Sequence, residues 1–183
     1  MKVIDTAIDD VKIIEPTVFG DERGFFMETF RDDWFKEHCA NVTFVQDNQS
    51  RSKQGILRGL HYQLEATQGK LVRVTEGKVF DVAVDVRKGS SSYGRWVGFE
   101  LSAENKKQLW VPAGFAHGFY VMSEFADFSY KCTKYYHPES EVSIKHNDKF
   151  LNIQWPFVEG VETSLAAKDI NGLSFQQAPT LEL

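Results

Sequence analysis

Three side chains that can carry charge or move protons lie close together in one stretch of the sequence. They are Arg58, His61 and Lys70, and the residues around them are leucines, glycines and β-branched residues, which favour strands. In a regular strand, Arg58 and His61 would point to opposite faces. A shared site therefore requires a bulge or a twist in the strand, which Gly55 and Gly59 permit.

The chemistry that suits such a set is proton transfer next to a carbonyl group. It needs a base that works near neutral pH, a cation or donor at the developing enolate oxygen, and an acid that returns a proton. We expect His61 to be the base, Lys70 the partner of the enolate oxygen and Tyr130 the acid. A carboxylate is also needed to orient the imidazole. Spacing alone does not choose among the candidates, which are Asp81, Asp85 and Asp169.

Two other classes of function fit parts of the sequence. Residues 112–117 have the Pro-x-Gly-x-x-His spacing of the second motif of metal cupins. Such sites usually need a His-x-His pair as well, but His61 is followed by Tyr62 and Gln63. The nearby cation Lys70 would also repel a divalent metal ion, so we expect no metal. A carbohydrate-binding module would explain the aromatic residues but gives no role to His61 beside Lys70.

The composition indicates a protein with one substantial hydrophobic core. The sequence has 183 residues, of which 42% are hydrophobic and 14% aromatic, including 15 phenylalanines. This length suits one domain, and the aromatic content favours a β-rich architecture. The formal net charge is −5, which argues against binding to nucleic acid or to an anionic membrane surface. Any anionic ligand must therefore be held by arginines and lysines that are placed locally.

The sequence also indicates a cytoplasmic protein. Acidic residues occur early, at Asp5, Asp9 and Asp10, where a signal peptide would have an apolar region. No apolar run approaches the ~18 residues of a membrane-spanning helix. Cys39 and Cys132 are far apart and in no metal-ligand spacing. We expect both to be buried free thiols, as in a reducing compartment.

The elements that must position these side chains are mostly short strands with turn residues between them. The segment around 76–78 predicts a β-hairpin. Residues 1–20 are predicted to form an extended arm, and residues 51–55 a loop. One short helix is predicted over 32–39, with acids in its first turn and basic residues towards its end. The pattern predicts a β-sandwich or jelly roll.

Several motifs occur in a fixed order along the chain. They are DERGFF (21–26), VQDN (45–48), LRGLHYQ (57–63), GKLV (69–72), FDVAVD (80–85), PAGFAHGF (112–119) and YKCT (130–133). Together they closely resemble the dTDP-4-dehydrorhamnose 3,5-epimerase family. The resemblance is collinear from about residue 3 to 170, and LRGLHYQ is its most specific part.

The resemblance implies an all-β, cupin-like jelly-roll β-sandwich with a few short helices, forming a single epimerase domain over residues 1–183. It also implies a homodimer with exchanged N-terminal arms. The reaction would be metal-independent epimerisation at C3 and C5 of dTDP-4-dehydro-6-deoxy-D-glucose, giving dTDP-4-dehydro-L-rhamnose for dTDP-L-rhamnose biosynthesis. The C4 ketone of the substrate acidifies both neighbouring C–H bonds, so no cofactor is implied. A monoepimerase of an antibiotic-type deoxysugar pathway is the closest alternative.

The resemblance also implies a role for each matching residue. His61 would be the base, with Asp169 as its orienting partner, and Tyr130 would be the acid on the opposite face of the sugar. Lys70 would stabilise the C4 enolate oxygen, and the ring of Tyr136 would stack on thymine. The positions that match substrate-binding residues are Arg23, Glu28, Gln46, Asp47, Asn48, Arg58, Lys70, His117, Tyr136, Glu141 and Lys168.

Overall fold

The computed structural model describes residues 1–182, and most of its regular structure is strand. The strands are β1 (Lys2–Asp5), β2 (Lys12–Glu15), β3 (Val18–Asp21), β4 (Gly24–Met27), β5 (Gln46–Lys53), β6 (Leu57–Gln63), β7 (Lys70–Glu76), β8 (Lys78–Asp85), β9 (Arg87–Lys88), β10 (Trp96–Ser102), β11 (Gln108–Val111), β12 (Phe115–Val121), β13 (Phe125–Cys132), β14 (Glu141–Ser143) and β15 (Leu181–Glu182). The helices are α1 (Asp32–His38) and α2 (Ala167–Ile170), with a 3₁₀ turn at Pro138–Ser140. None of these helices is long and apolar enough to cross a membrane.

Two sheets form a β-sandwich, as the sequence predicts. The six-stranded sheet has the order β1-β2-β11-β7-β13-β5, and the five-stranded sheet has the order β10-β8-β12-β6-β14. Their facing sides bury one apolar cluster, which includes Val72 and Leu109 from the first sheet and Val79 and Phe119 from the second. The removal of this apolar surface from water is the main force that holds the sheets together.

Each sheet is also covered on its outer side. Residues 144–178 pack Trp155 and Phe175 against the five-stranded sheet. Helix α1 packs Phe35 on Trp110 of the six-stranded sheet. Full burial of a side chain such as Phe35 contributes about 1.5–3 kcal/mol to folding. Both sheets are therefore held from two sides, which keeps the strands that line the interior in fixed positions.

Strand β8 shows how the sequence pattern directs side chains. Val82 and Val84 point to the outer cluster, whereas Val79 and Ala83 point between the sheets. Side chains alternate along a strand, so Asp81 also points between the sheets, where it is fully buried. This carboxylate lies in the layer that contains the site described below.

The predicted hairpin at 76–78 is wrong. Strand β7 pairs with β11 and β13, whereas β8 pairs with β10 and β12, so the chain crosses from one sheet to the other at Gly77. Gly77 has φ +76°, and a Cβ there would lie 2.0 Å from the carbonyl oxygen of Phe125. A glycine turn looks the same in the sequence whether the next strand pairs with the previous one or leaves its sheet.

Other local predictions also need correction. Residues 1–20 are not one extended arm, because β1 pairs with β2, β2 joins the six-stranded sheet through β11, and β3 begins a separate hairpin with β4. Residues 51–53 are not a loop, because β5 pairs with β13 along its whole length and this pairing overrides the polar composition. The helix prediction is confirmed over Asp32–His38. Cys132 is buried as expected, whereas Cys39 is only half-buried, and both thiols are free.

Candidate active site

A cavity of about 510 Å³ is lined by strands of both sheets and by helix α2. The five-stranded sheet contributes His61 and the six-stranded sheet contributes Lys70 and Tyr130. Eleven of the residues that the sequence predicts for the site line it: Gln46, Asn48, Arg58, His61, Lys70, His117, Tyr130, Tyr136, Glu141, Lys168 and Asp169. Groups from opposite sheets thus face one cavity.

Arg58 and His61 share this cavity because β6 is irregular. The pairing of β6 with β12 shifts register between His117 and Phe119. Gly59 has φ +112°, a conformation that side chains of L-residues rarely adopt, and a Cβ there would lie 2.6 Å from the Cα of Gly118. The departure from regular strand geometry that the sequence requires is therefore present at one of the two glycines that permit it.

The imidazole of His61 is held by a buried carboxylate. Its Nε2 lies 2.5 Å from Oδ1 of Asp169, and the Asp169 side chain is only 2% exposed. The backbone N–H of Gly59 and the hydroxyl of Ser143 also donate to this carboxylate, each at 3.4 Å. Burial raises the pKa of Asp169, but the His61 contact and the Gly59 N–H outweigh it, so the pKa lies below its ordinary value.

The second ring nitrogen of His61 is directed to the cavity. Nδ1 lies 3.9 Å from Oε1 of Glu141, which is too far for a hydrogen bond. Because Nε2 donates to Asp169, the neutral imidazole has its lone pair on Nδ1. His61 therefore presents a basic nitrogen to whatever occupies the cavity.

Lys70 begins strand β7 and has no hydrogen-bond or ion-pair partner within residues 1–182. No buried side-chain nitrogen or oxygen of that range lacks a partner, so its Nζ is accessible from the cavity. Burial lowers the pKa of Lys70 below its ordinary value, and the neighbouring Cys132, Glu141 and Asp81 oppose this shift. The ammonium is available to a ligand oxygen.

Tyr130 lies beside Lys70 on the same sheet. Cys132 is opposite Lys70 in the pairing of β13 with β7, and Tyr130 is two residues earlier, on the same face of β13 as Cys132. The ring packs at 5.9 Å from that of Phe128. Burial raises the pKa of the phenol, which therefore stays protonated and can donate a proton.

A second imidazole–carboxylate pair stands next to the first. His117 is the cross-strand partner of His61, and its Nε2 lies 2.9 and 3.0 Å from the two carboxylate oxygens of Asp81. The ring is stacked against Phe128 at 6.1 Å. Asp81 does not line the cavity, whereas His117 does.

Polar groups near the outer part of the cavity are linked to one another. Glu141 accepts a hydrogen bond from Lys168 Nζ at 2.7 Å and one from the hydroxyl of Tyr136 at 3.2 Å. The Tyr136 backbone N–H donates to Gln46, and the Tyr136 ring is exposed. Arg58 donates to Ser52 through Nε alone, so its other guanidinium nitrogens have no partner within the described chain.

The sequence is similar to those of known proteins. Residues 5–177 match the sequence model of the dTDP-4-dehydrorhamnose 3,5-epimerase family. The chain belongs to this family. A family member from Salmonella typhimurium is 58% identical over 180 residues, which are 97% of this chain and 97% of that protein.

Solved structures of similar proteins agree with this assignment. The crystal structure of dTDP-6-deoxy-D-glucose-3,5-epimerase from Legionella pneumophila, in complex with dTDP-4-keto-L-rhamnose, has a TM-score of 0.95 and 53% identity, covering 100% of this chain and 98% of that one. A 3′-monoepimerase from Streptomyces bikiniensis, in complex with dTDP-quinovose, has a TM-score of 0.86 and 30% identity, covering 94% and 87%. The cupin-like architecture of the epimerase family is thus the fold of this chain.

Three residues that the sequence predicts for the epimerase site do not line the cavity. Arg23 lies in the turn between β3 and β4 and forms an ion pair with Asp21. Glu28 follows this hairpin, and Asp47 forms an ion pair with Lys131 at 3.1 Å. Within residues 1–182, no group of three His, Cys, Asp or Glu side chains is arranged to hold a metal ion.

Spacing in the sequence offers Asp81 only as one possible partner of His61, and the structure joins it to His117 instead. The signal was a charged residue on a strand face that is otherwise apolar, between Val79 and Ala83. Gln68 and Ser164 also line the cavity and were not predicted.

Proposed function

We propose that this chain epimerises C3 and C5 of dTDP-4-dehydro-6-deoxy-D-glucose to give dTDP-4-dehydro-L-rhamnose, in the synthesis of dTDP-L-rhamnose. One observation carries the proposal: a carboxylate-held imidazole faces, across one cavity, an ammonium and a phenol that have no partner in the described chain. These are the base, the enolate partner and the acid that proton exchange next to a ketone needs.

The reaction follows from the positions of these groups. His61 Nδ1 takes the proton from the carbon next to the C4 ketone, and the electron pair of the broken C–H bond moves onto the ketone oxygen. Lys70 donates a hydrogen bond to that oxygen as the enolate forms. Tyr130 then returns a proton to the same carbon, which restores the ketone. The base comes from one sheet and the acid from the other, which supports delivery to the opposite face and hence inversion.

The same enolate oxygen serves both carbons, because C3 and C5 flank the ketone. One lysine therefore suffices for two epimerisations. Asp169 keeps the His61 proton on Nε2 and stabilises the imidazolium that forms. The cavity residues Arg58 and Lys168 give this acidic protein local binding capacity for a diphosphate. The exposed ring of Tyr136 is suited to stacking on thymine.

We also propose that the protein is a cytoplasmic homodimer with one domain over the described residues 1–182, in which the β3–β4 hairpin reaches the site of the other copy. The hairpin exposes Phe19, Phe25 and Phe26 by 60–70%, and such aromatic clusters mark interaction surfaces. Arg23 and Glu28, which match substrate-binding positions, are on or next to this hairpin and outside the chain's own cavity. A mixture of the His61→Asn and Arg23→Ala variants tests this, because heterodimers would regain one intact site.

Isotope exchange tests the reaction. In D₂O, turnover of the 4-keto sugar nucleotide is expected to place deuterium at both C3 and C5. His61→Asn is expected to abolish both exchanges, whereas His38→Asn, which changes an exposed histidine on α1, leaves them intact. Normal exchange in His61→Asn would refute the role of the base.

The alternatives have distinct outcomes in the same assay. Deuterium at one carbon only would indicate a monoepimerase, the activity of the Streptomyces bikiniensis relative. Loss of turnover on chelation, with recovery on addition of a divalent metal, would favour a metal cupin. Binding of free sugars without exchange at any carbon would favour a carbohydrate-binding module.

A further inference from the structure

Asp81 is a buried charged residue for which proton transfer at His61 provides no role. It is 0% exposed, and both of its oxygens lie within hydrogen-bond distance of His117 Nε2. Burying a carboxylate costs free energy unless it is paired. Because this pair lies at a binding cavity, the fixed orientation of the imidazole points to a role in holding a ligand.

The contact fixes which nitrogen of His117 faces the ligand. A carboxylate accepts hydrogen bonds, so it selects the tautomer with the proton on Nε2. Nδ1 has no hydrogen-bond partner in residues 1–182, and no buried side-chain nitrogen there lacks one. Nδ1 is therefore accessible, and the accessible space at this nearly buried side chain is the cavity that it lines.

The surroundings of the pair hold it in one position. His117 is stacked on Phe128, and a Cβ at the following Gly118 would lie 2.6 Å from the carbonyl oxygen of Arg58, so β12 and β6 are in close contact beside the ring. Burial raises the pKa of Asp81, and the neighbouring His117 and Lys70 oppose this shift by favouring the charged carboxylate. One buried carboxylate therefore interacts electrostatically with two groups that line the cavity, His117 and Lys70.

Building on the proposed epimerase function, we propose that Asp81 is a positioning residue, which holds the Nε2–H tautomer of His117 so that Nδ1 accepts a hydrogen bond from a hydroxyl of the sugar. Lys70 Nζ can only donate a hydrogen bond, and His117 Nδ1 then only accepts one. The cavity consequently presents a donor for the ketone oxygen and an acceptor for a hydroxyl. This pairing fits a sugar with a ketone among hydroxyls and would align it for exchange.

The tautomer can be measured on the unmodified protein. Nitrogen-15 labelling of the histidines, with His117 assigned by comparison with His117→Gln, is expected to show a neutral ring with a slowly exchanging proton on Nε2. A proton on Nδ1 in the neutral ring would overturn the proposal, and this result needs no variant of Asp81.

Kinetics test whether the positioning matters. Asp81→Asn is expected to lower kcat by about tenfold or more. Removal of a hydrogen bond made directly to the transition state costs about 10²–10³-fold, and the effect of Asp81 should not exceed this because it acts through His117. Its KM should change less than about threefold, because Asp81 does not line the cavity. The double variant Asp81→Asn/His117→Gln is expected to be no slower than His117→Gln alone, since Asp81 acts through that ring.

Asp85→Asn is the matched control. Asp85 is also on β8 and fully buried, but its carboxylate binds Arg87, Ser90 and Ser92 and does not line the cavity. We expect this control to lower the Tm and leave kcat within about threefold. A kcat of Asp81→Asn within twofold of the unmodified protein, or effects that multiply in the double variant, would refute the positioning role. Absence of exchange in the unmodified protein would instead refute the proposed function.

Discussion

The contact between His61 and Asp169 makes Asp169→Asn a sharp test of the proposed base. In Asp169→Asn the side chain keeps its size but loses its charge, and its amide can donate to Nε2 instead of accepting from it. The 2.5 Å contact of His61 Nε2 with Oδ1 is the shortest hydrogen bond in the cavity, and the Gly59 N–H holds the carboxylate in place. The substitution therefore removes both the preferred tautomer and the stabilisation of the imidazolium.

The expected loss in kcat is about 10⁴-fold, the size seen when the orienting carboxylate of a catalytic triad becomes an amide. At 1.36 kcal/mol for each tenfold change, this corresponds to about 5.4 kcal/mol of transition-state stabilisation. KM should change little, because the carboxylate is only 2% exposed and offers hardly any surface to a substrate. Deuterium incorporation at C3 and C5, followed by NMR across a range of substrate concentrations, separates the two parameters.

Asp148→Asn controls for the general cost of replacing a carboxylate that accepts internal hydrogen bonds. Asp148 accepts from the backbone N–H groups of Phe150, Leu151 and Phe175 and does not line the cavity. It should lower the Tm without changing kcat by more than about threefold. If Asp169→Asn retained kcat within tenfold of the unmodified protein while folding normally, the reasoning about the tautomer of His61 would be wrong.

The remaining predictions concern three groups that line the cavity, Lys70, Tyr130 and Gly118. Lys70→Met should lower kcat by about 10²–10³-fold through loss of the enolate donor, and an unchanged kcat would remove Lys70 from the mechanism. Because burial lowers the pKa of Lys70, kcat in the unmodified protein should fall with rising pH before the ordinary lysine value of 10.5 is reached. The Lys70→Arg variant keeps its charge over this range, so its residual activity should not show the decline. Tyr130→Phe should slow net inversion by about 10²-fold or more while His61-dependent washout of the substrate C–H proton persists, so equal loss of both would assign Tyr130 to binding. Gly118→Ala should lower both Tm and kcat, since its Cβ would meet the Arg58 carbonyl oxygen at 2.6 Å, and unchanged values would show that β6 and β12 can separate freely.

The sequence predicts the local features that depend on neighbouring residues. The strand over residues 57–63 and the alternation along β8 follow from side-chain periodicity. Helix α1 is predicted from its acidic first turn and basic end. These features are confirmed because apolar residues with this periodicity lie on one face of the element, and burial of that face stabilises the fold.

The features that depend on distant pairing could not be predicted in this way. A turn at Gly77 permits either a hairpin or a crossing between sheets, and only the burial of both faces of β8 selects the crossing. Residues 51–53 look like a loop because their strand lies at the edge of its sheet, with polar side chains exposed to water. Pairing with β13 determines their conformation, and that partner is remote in sequence.

The three candidate carboxylates illustrate the same limit within the site. All three are nearly or fully buried, yet each binds a different cation or imidazole: Asp169 binds His61, Asp81 binds His117, and Asp85 binds Arg87. Nothing in their spacing distinguishes these roles, because each depends on which strands are neighbours. Family resemblance assigns the first, and only the folded arrangement separates the other two.

The unpartnered ammonium of Lys70 has a consequence for the energetics of the whole molecule. A charged group that is largely withdrawn from water, with no anion in contact, makes the folded state less stable than an apolar residue there would. Burial therefore withdraws this group from water in the resting form, and in the proposed reaction the ketone oxygen of the substrate would replace part of the lost hydration. At this one position of β7, thermal stability and catalytic activity therefore favour different residues.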